Sequence, residues 1–349
     1  MPDAAAIYAA AFPSRKVLLV VTSVDSYPDG ESTGFYLSEV VHPYNKFIAA
    51  GWTVDIASPT GTAQCDPGSV ADGAPGFDEE VKAFWEDSEK KALTETPKKL
   101  ADIPPEEAEA YDVLFFAGGF GCMWDLAESV ETQALVKSMY EAGKVVAGVC
   151  HGVVAFVNVT LSDESKLLAG KNVTGFTNAE EKVMGKLEVV GGTCTGTCED
   201  AMDAAGAIFK DGTEWAPCAV VDGNLMTGQN PQSAGPLAVQ ILYFFDKIRA
   251  EFEPEREALL AERATLASQI VAAGEAFETE LATLKKQEAK GQPVAEKIEE
   301  LLTKATAGRD YRAFCLANLD SQLERNALLR QKKVDEALAK AAAEMEPEE

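Results

Sequence analysis

Lys16-Val-Leu-Leu-Val-Val-Thr-Ser23 carries five consecutive apolar residues with no polar residue among them. A strand with one wet face alternates apolar and polar side chains, whereas a strand covered on both faces does not. The run therefore predicts a strand buried in a sheet with helices on either side. Short β-rich runs recur at Trp52–Ser58, Asp112–Ala117, Val145–Val149, Asn172–Thr177 and Ala219–Thr227, the last with a turn at Asp222-Gly223-Asn224. Helical stretches lie between them: Ser38–Ala50 closing on Gly51, Ser129–Ala142 closing on Gly143, and Ser233–Arg249. Strand alternating with helix gives an α/β class fold, a mostly parallel sheet flanked by helices, with active sites at the carboxyl ends of its strands.

The pattern changes near residue 250 of the 349. Residues 251–349 have few β-branched residues. Leu259, Leu266, Ile270, Phe277, Leu281 and Leu284 form a helical stripe, broken at Lys290-Gly291-Gln292-Pro293 and again at Ala307-Gly308-Arg309-Asp310. The expected organisation is an α/β domain over 1–250 and an α-helical, coiled-coil-like extension over 251–349. That extension either caps itself as a solvated unit or docks a second copy, as a homodimer, or another protein partner.

Asp plus Glu is 57 against 31 for Lys plus Arg, a net charge of -26. Without a concentrated basic patch, such a surface is repelled by nucleic acid and by anionic membranes, so neither is an expected partner. No stretch approaches the ~18 apolar residues of a membrane helix. Seven scattered cysteines argue against a disulfide framework and for a reducing, cytoplasmic compartment. With His42 and His151 the only histidines, a multi-histidine zinc site is not expected, and no metal or cofactor is.

Gly148-Val149-Cys150-His151-Gly152 follows a buried strand and precedes an apolar helical run. Small residues flanking a nucleophile at a strand-to-helix turn have the mechanics of a nucleophile elbow. A helix N-terminus and an adjacent imidazole both favour thiolate, so a lowered Cys150 pKa is predicted. Ala117-Gly118-Gly119-Phe120-Gly121, also after a strand, allows a turn that aims amides at an oxyanion. It lacks the spacing of a phosphate loop. Ser38 is a candidate cap for a helix that buries Val41, Tyr44 and Ile48. Glu39, in its first turn, has two uses: a buried acid or base, or, as the residues alone favour, a carboxylate placed by the helix dipole. Cys194-Thr-Gly-Thr-Cys198 has too few ligands for zinc.

Taken in order, Gly34–Pro43, Ala49–Pro59, Ala117–Gly121 with Trp124-Asp125-Leu126, Ala147–Gly152, Thr174–Glu181 and Val220–Pro231 resemble the motifs of the ThiJ/PfpI superfamily, relatives of the Parkinson's-associated protein deglycase. Within it they are most similar to the heat-shock chaperone branch with glutathione-independent glyoxalase III activity. The resemblance covers residues 15–248 and implies a flavodoxin-like, class I glutamine amidotransferase-like sandwich. It implies that Cys150 is the nucleophile, His151 its base and Glu39 a proton shuttle. It gives Glu181 the part of the histidine-orienting carboxylate, with Glu180 as its near alternative, and makes an oxyanion hole of the Gly119 and His151 amides. The implied substrate is a small α-oxoaldehyde, methylglyoxal, converted to lactate through a hemithioacetal, with deglycase activity beside it. The alternatives are a stress-type holdase chaperone and a scaffold that keeps the fold and docks through its tail. Phe120 departs from the branch, which often has histidine there, and Val189–Cys194 replaces a more apolar stretch.

Overall fold

The computed structural model describes residues 15–103 and 105–245, and in the C-terminal region positions 276, 278–287, 290, 297 and 301. Contacts separate a unit running up to Phe244 from one spanning Phe245–Ala337. In the latter, residues 278–287 are helical. Most of the apolar stripe read in residues 251–349 lies outside the described residues, so that expectation is carried forward on sequence.

The first unit is built on strands β1 (Lys16–Val20), β2 (Thr53–Ser58), β3 (Lys98–Lys99), β4 (Val113–Phe116), β5 (Val145–Val149), β8 (Ala219–Asp222) and β9 (Leu225–Gly228). They form one seven-stranded sheet in the order β3-β2-β1-β4-β5-β9-β8. Every pairing is parallel except β8 with β9, an antiparallel hairpin turning at Gly223 and Asn224. Val17 to Val20 are fully buried, as are all of β4 and β5, which is why their sequences show no alternation. The expected strand over Asn172–Thr177 is shorter and lies elsewhere. Only Asn172–Val173 (β6) pairs, with Ile208–Phe209 (β7), in a separate two-stranded sheet.

Helix α1 (Leu37–Ala49) follows β1, α2 (Glu79–Glu86) and α3 (Ser88–Glu95) follow β2, α4 (Val130–Glu141) follows β4, and α5 (Asn178–Met184) follows β6. Asp78 and Asp87 cap α2 and α3, and Ser129 caps α4, each by accepting backbone amides. α1 starts one residue earlier than expected, with Tyr36 rather than Ser38 at the cap and no side-chain bond there. Its buried face is Leu37, Val40, Val41 and Phe47; Tyr44 is half-buried, and Ile48, one step further round, is 44% exposed. Among the described residues no helix is long and apolar enough to cross a membrane.

β1 sends its chain one way to β2, and the sheet continues the other way through β4. The strand order thus reverses beside β1, and the carboxyl ends of β1, β4 and β5 meet at that switch point, where open sheets of this kind bind their ligands. Gly118, Glu39 and Cys150 are carried to that edge by the ends of β4, the start of α1 and the end of β5.

Candidate active site

Cys150 is the first residue after β5. Its φ of +57° lies in the left-handed region that side-chain-bearing residues rarely adopt. A seven-residue 3-10 helix, Cys150–Phe156, continues from it in place of the expected α-helical run. The turn closes only around glycines. A Cβ on Gly152 would lie 2.6 Å from the Phe116 carbonyl oxygen. One on Gly118 would lie 2.6 Å from Glu39 Oε2 and 2.8 Å from Cys150 Cβ. Gly118 is therefore the spacer that lets carboxyl and thiol meet.

Four of the sequence-derived residues converge. Cys150 Sγ is 3.3 Å from His151 Nδ1, and His151 Nε2 is 2.7 Å from Glu181 Oε1. All three side chains are buried. An ionised carboxylate only accepts, so Glu181 holds the ring proton on Nε2 and leaves Nδ1 facing the sulfur as an acceptor. On the other side the Gly118 amide donates to Glu39 Oε2 at 2.7 Å, while Glu39 Oε1 is buried with no hydrogen-bond partner among the described residues, and the carboxyl group stands close enough to the Cys150 thiol for each to shift the other's proton affinity. The His151 amide is directed at the sulfur. Gly119 has φ +112°, and among the described residues no group accepts from its amide.

Glu180 and Glu181 are both buried but do different things. Glu180 Oε1 accepts from the Trp215 amide (2.9 Å), Gln229 Nε2 (3.1 Å) and Asn230 Nδ2 (2.8 Å), and Oε2 accepts from the amide and hydroxyl of Thr177. Five donors on one carboxylate pin three loops to α5. Glu181, about 100° further round the helix, is the one that meets the imidazole.

Electrostatics correct one expectation. The Cys150 thiol is held well above its ordinary range, not below it, first by burial and then by the Glu39 carboxylate beside it. Burial also pushes Glu39 up to about 8, against the pull of the thiol and the Gly118 amide. Two acids in one dry pocket resist becoming two anions, so thiol and carboxyl act as a coupled pair. This has a stability signature. Because the folded pKa lies above the ordinary 4.5, the contribution of Glu39 is fully present below that value and is lost as pH rises to about 8. At about 1.4 kcal/mol per unit, the loss is on the order of a few kcal/mol. The always neutral Glu39→Gln should therefore melt above wild type at pH 8, with the gap closing toward pH 5. Thermal scans across that range check it, and a pH-independent gap would contradict the buried pair.

The imidazole is clasped by two rings: Phe120, in the Gly-Gly turn already singled out from the sequence, and Phe176, which sequence reasoning did not assign to the site. Phe120 lies 4.5 Å from it and Phe176 4.6 Å, centroid to centroid. Tyr27 packs on Phe120, and Trp215 meets Phe176 edge-on at 5.8 Å. Phe176 sits within the Thr174–Glu181 motif, but an apolar side chain gives no chemical signal in a sequence. Among the described residues one group offers three metal-ligand atoms within 4.8 Å of one another: His42, Asp78 and Glu80. Asp78 is already committed. One of its oxygens accepts the Glu80 and Val81 amides, and the other meets His42 Nε2 at 3.0 Å. With Asn45 donating to Glu80 at 2.8 Å, the group reads as a clamp between α1 and α2.

A model of the DJ-1/PfpI family matches residues 32–243. Glyoxalase 3 of Candida albicans is 32% identical over 236 residues, 66% of this chain and 98% of that protein. A glutathione-independent glyoxalase of Saccharomyces cerevisiae is 33% identical over 233 residues, 65% of this chain and 96% of its own. Among solved structures, glyoxalase III from Candida albicans superposes with a TM-score of 0.59 at 32% identity, covering 66% of this chain and 96% of that one. The Rapid Encystment Protein of Francisella tularensis superposes with the same score at 34% identity, covering 65% and 97%.

Proposed function

This chain belongs to the DJ-1/PfpI family, and we propose that it is a glyoxalase III-type lyase that converts methylglyoxal to lactate without glutathione. The observation that carries the reading is a buried thiol flanked by an imidazole on one side and a carboxyl on the other, in a chain whose relatives bear that activity in their names. The order His151-to-Glu181 beside Cys150 supports a nucleophile with its own base, and Glu39 supports a second, independent proton carrier.

The chemistry runs in four steps. Cys150 sulfur adds to the aldehyde carbon while its proton passes by way of His151 Nδ1 to the aldehyde oxygen, giving a hemithioacetal. The amides of Gly119 and His151 serve the oxygen as charge develops on it. Ionised Glu39 then takes the hydrogen from that carbon as a proton, and the hydroxyl proton on the same carbon passes by way of His151 to the neighbouring ketone oxygen, giving the singly charged anion of an enediol. Glu39 returns the proton to the former ketone carbon, and the first carbon becomes a thioester. Water activated by His151 cleaves the thioester, releasing lactate and the thiol. Methylglyoxal and one water are consumed, one lactate anion and one proton are formed, and no electron leaves the pair of carbons. A carboxyl that titrates at about 8 suits both halves of the shuttle near neutral pH, where either protonation state is accessible.

Free thiols at Cys65, Cys122, Cys150, Cys194, Cys198 and Cys218 support a reducing, cytoplasmic setting. Association with a second copy or another protein falls to the apolar stripe of residues 251–349, and gel filtration of the whole chain as a monomer in the absence of other proteins would leave only the second of these. The activity is tested by incubating the purified chain with methylglyoxal in thiol-free buffer. Lactate should accumulate catalytically. A folded chain that forms none removes the reading in favour of a chaperone or a scaffold.

A further inference from the structure

Three non-glycine residues among those described adopt left-handed backbone: Cys150, Glu164 and Trp215. Glu164 sits in an exposed turn, closed by its amide to the Leu161 carbonyl. Trp215, at φ +61°, is the third residue of a turn in which the Ala216 amide donates to the Thr213 carbonyl at 3.0 Å. A tryptophan in that conformation persists only where its surroundings impose it.

The surroundings do so from both sides. The Trp215 amide donates to buried Glu180 Oε1 at 2.9 Å, and the next carbonyl, of Ala216, accepts Asn230 Nδ2 at 2.9 Å. Asn230 itself donates to the same Glu180 oxygen. The backbone on either side of the indole is thus tied to one carboxylate that is adjacent in sequence to Glu181, the partner of His151. Side-chain contacts lead to the same place. The half-buried indole packs edge-on against Phe176, and Phe176 packs against the imidazole. A loose loop would let the ring swing away from a bulky substrate, but a loop held by two partly buried hydrogen bonds does not.

We propose that Trp215 is a specificity-determining wall of the reaction pocket, limiting the group on the ketone carbon of an α-oxoaldehyde to a small one such as methyl. The proposal rests on the glyoxalase reading and adds which members of that substrate class are accepted. Rigid apolar walls discriminate by size, and the effect of relieving one is read as a change in the ratio of kcat/KM values.

The test compares methylglyoxal with phenylglyoxal for wild type, Trp215→Asn and Trp215→Phe. Asparagine tolerates left-handed backbone, so Trp215→Asn removes the indole while keeping the loop's conformation. The phenylglyoxal-to-methylglyoxal ratio should rise about tenfold or more in Trp215→Asn. Trp215→Phe, which keeps an aromatic contact with Phe176, should shift the ratio in the same direction by a smaller factor. A ratio unchanged in both variants, or both substrates falling in parallel, would overturn the wall and leave a merely structural loop. Wild type inert toward both substrates would overturn the glyoxalase reading itself, and the wall with it.

Discussion

Glu39→Gln is expected to lower kcat/KM for methylglyoxal by about 10³- to 10⁴-fold, the usual worth of a positioned acid–base group at the upper end of its range, while the protein stays folded. Glutamine keeps the volume and one acceptor for the Gly118 amide, whose bond at 2.7 Å locates the group. What it removes is the ability to take a hydrogen from one carbon and return it to the next. Cys150 still has His151 at 3.3 Å, so hemithioacetal formation should persist and the reaction should halt after it. The wild-type pH profile carries the same signature. Hydrogen abstraction needs ionised Glu39, and with a pKa of about 8 only about a tenth is ionised at pH 7. Wild-type kcat/KM should therefore climb with pH to a plateau above about 8. Steady-state kinetics on both proteins over that range check it. A Glu39→Gln enzyme with near-wild-type rates, or a wild-type profile that falls through that range, would take Glu39 out of the reaction.

Cys150→Ala is expected to cost more, about 10⁴-fold or beyond, because the covalent intermediate disappears and no second group replaces it. Cys122 and Cys198 are also buried, but Cys122 Sγ is spent on the Ala117 carbonyl and Cys198 Sγ lies against Met123 sulfur. The substitution keeps the Cβ that the turn already accommodates, so the fold should survive. Circular dichroism beside the rate measurement separates a dead site from a lost fold. Substantial residual turnover by a folded Cys150→Ala would show that another residue opens the reaction.

What could be read in advance follows from where the physics is local. β1, β4 and β5 were legible because a strand buried on both faces writes an unbroken apolar run. β3 was not, since two exposed lysines at a sheet edge carry no pattern. The charged helices α2 and α3 likewise left little trace in the sequence beyond their aspartate caps. The elbow was legible because its glycines are a backbone requirement. The raised thiol was not, because it depends on how deeply Cys150 is buried and on a carboxyl over a hundred residues away in sequence. Glu39 read alone as a dipole-placed first-turn residue, and only the fold closes the Gly118 turn over it. Glu180 and Glu181 are adjacent letters, and helix geometry alone sends one to the imidazole and the other to the loop holding Trp215.

The most direct measurement follows carbon-13 from the aldehyde carbon of methylglyoxal by nuclear magnetic resonance, with purified wild type and Cys150→Ala in thiol-free buffer. If Cys150 adds to the aldehyde and Glu39 carries the hydrogen to its neighbour, the label appears in the carboxylate of lactate, at catalytic turnover, with wild type alone. Label in the alcohol carbon, lactate formed equally by Cys150→Ala, or methylglyoxal consumed with no lactate at all would contradict it.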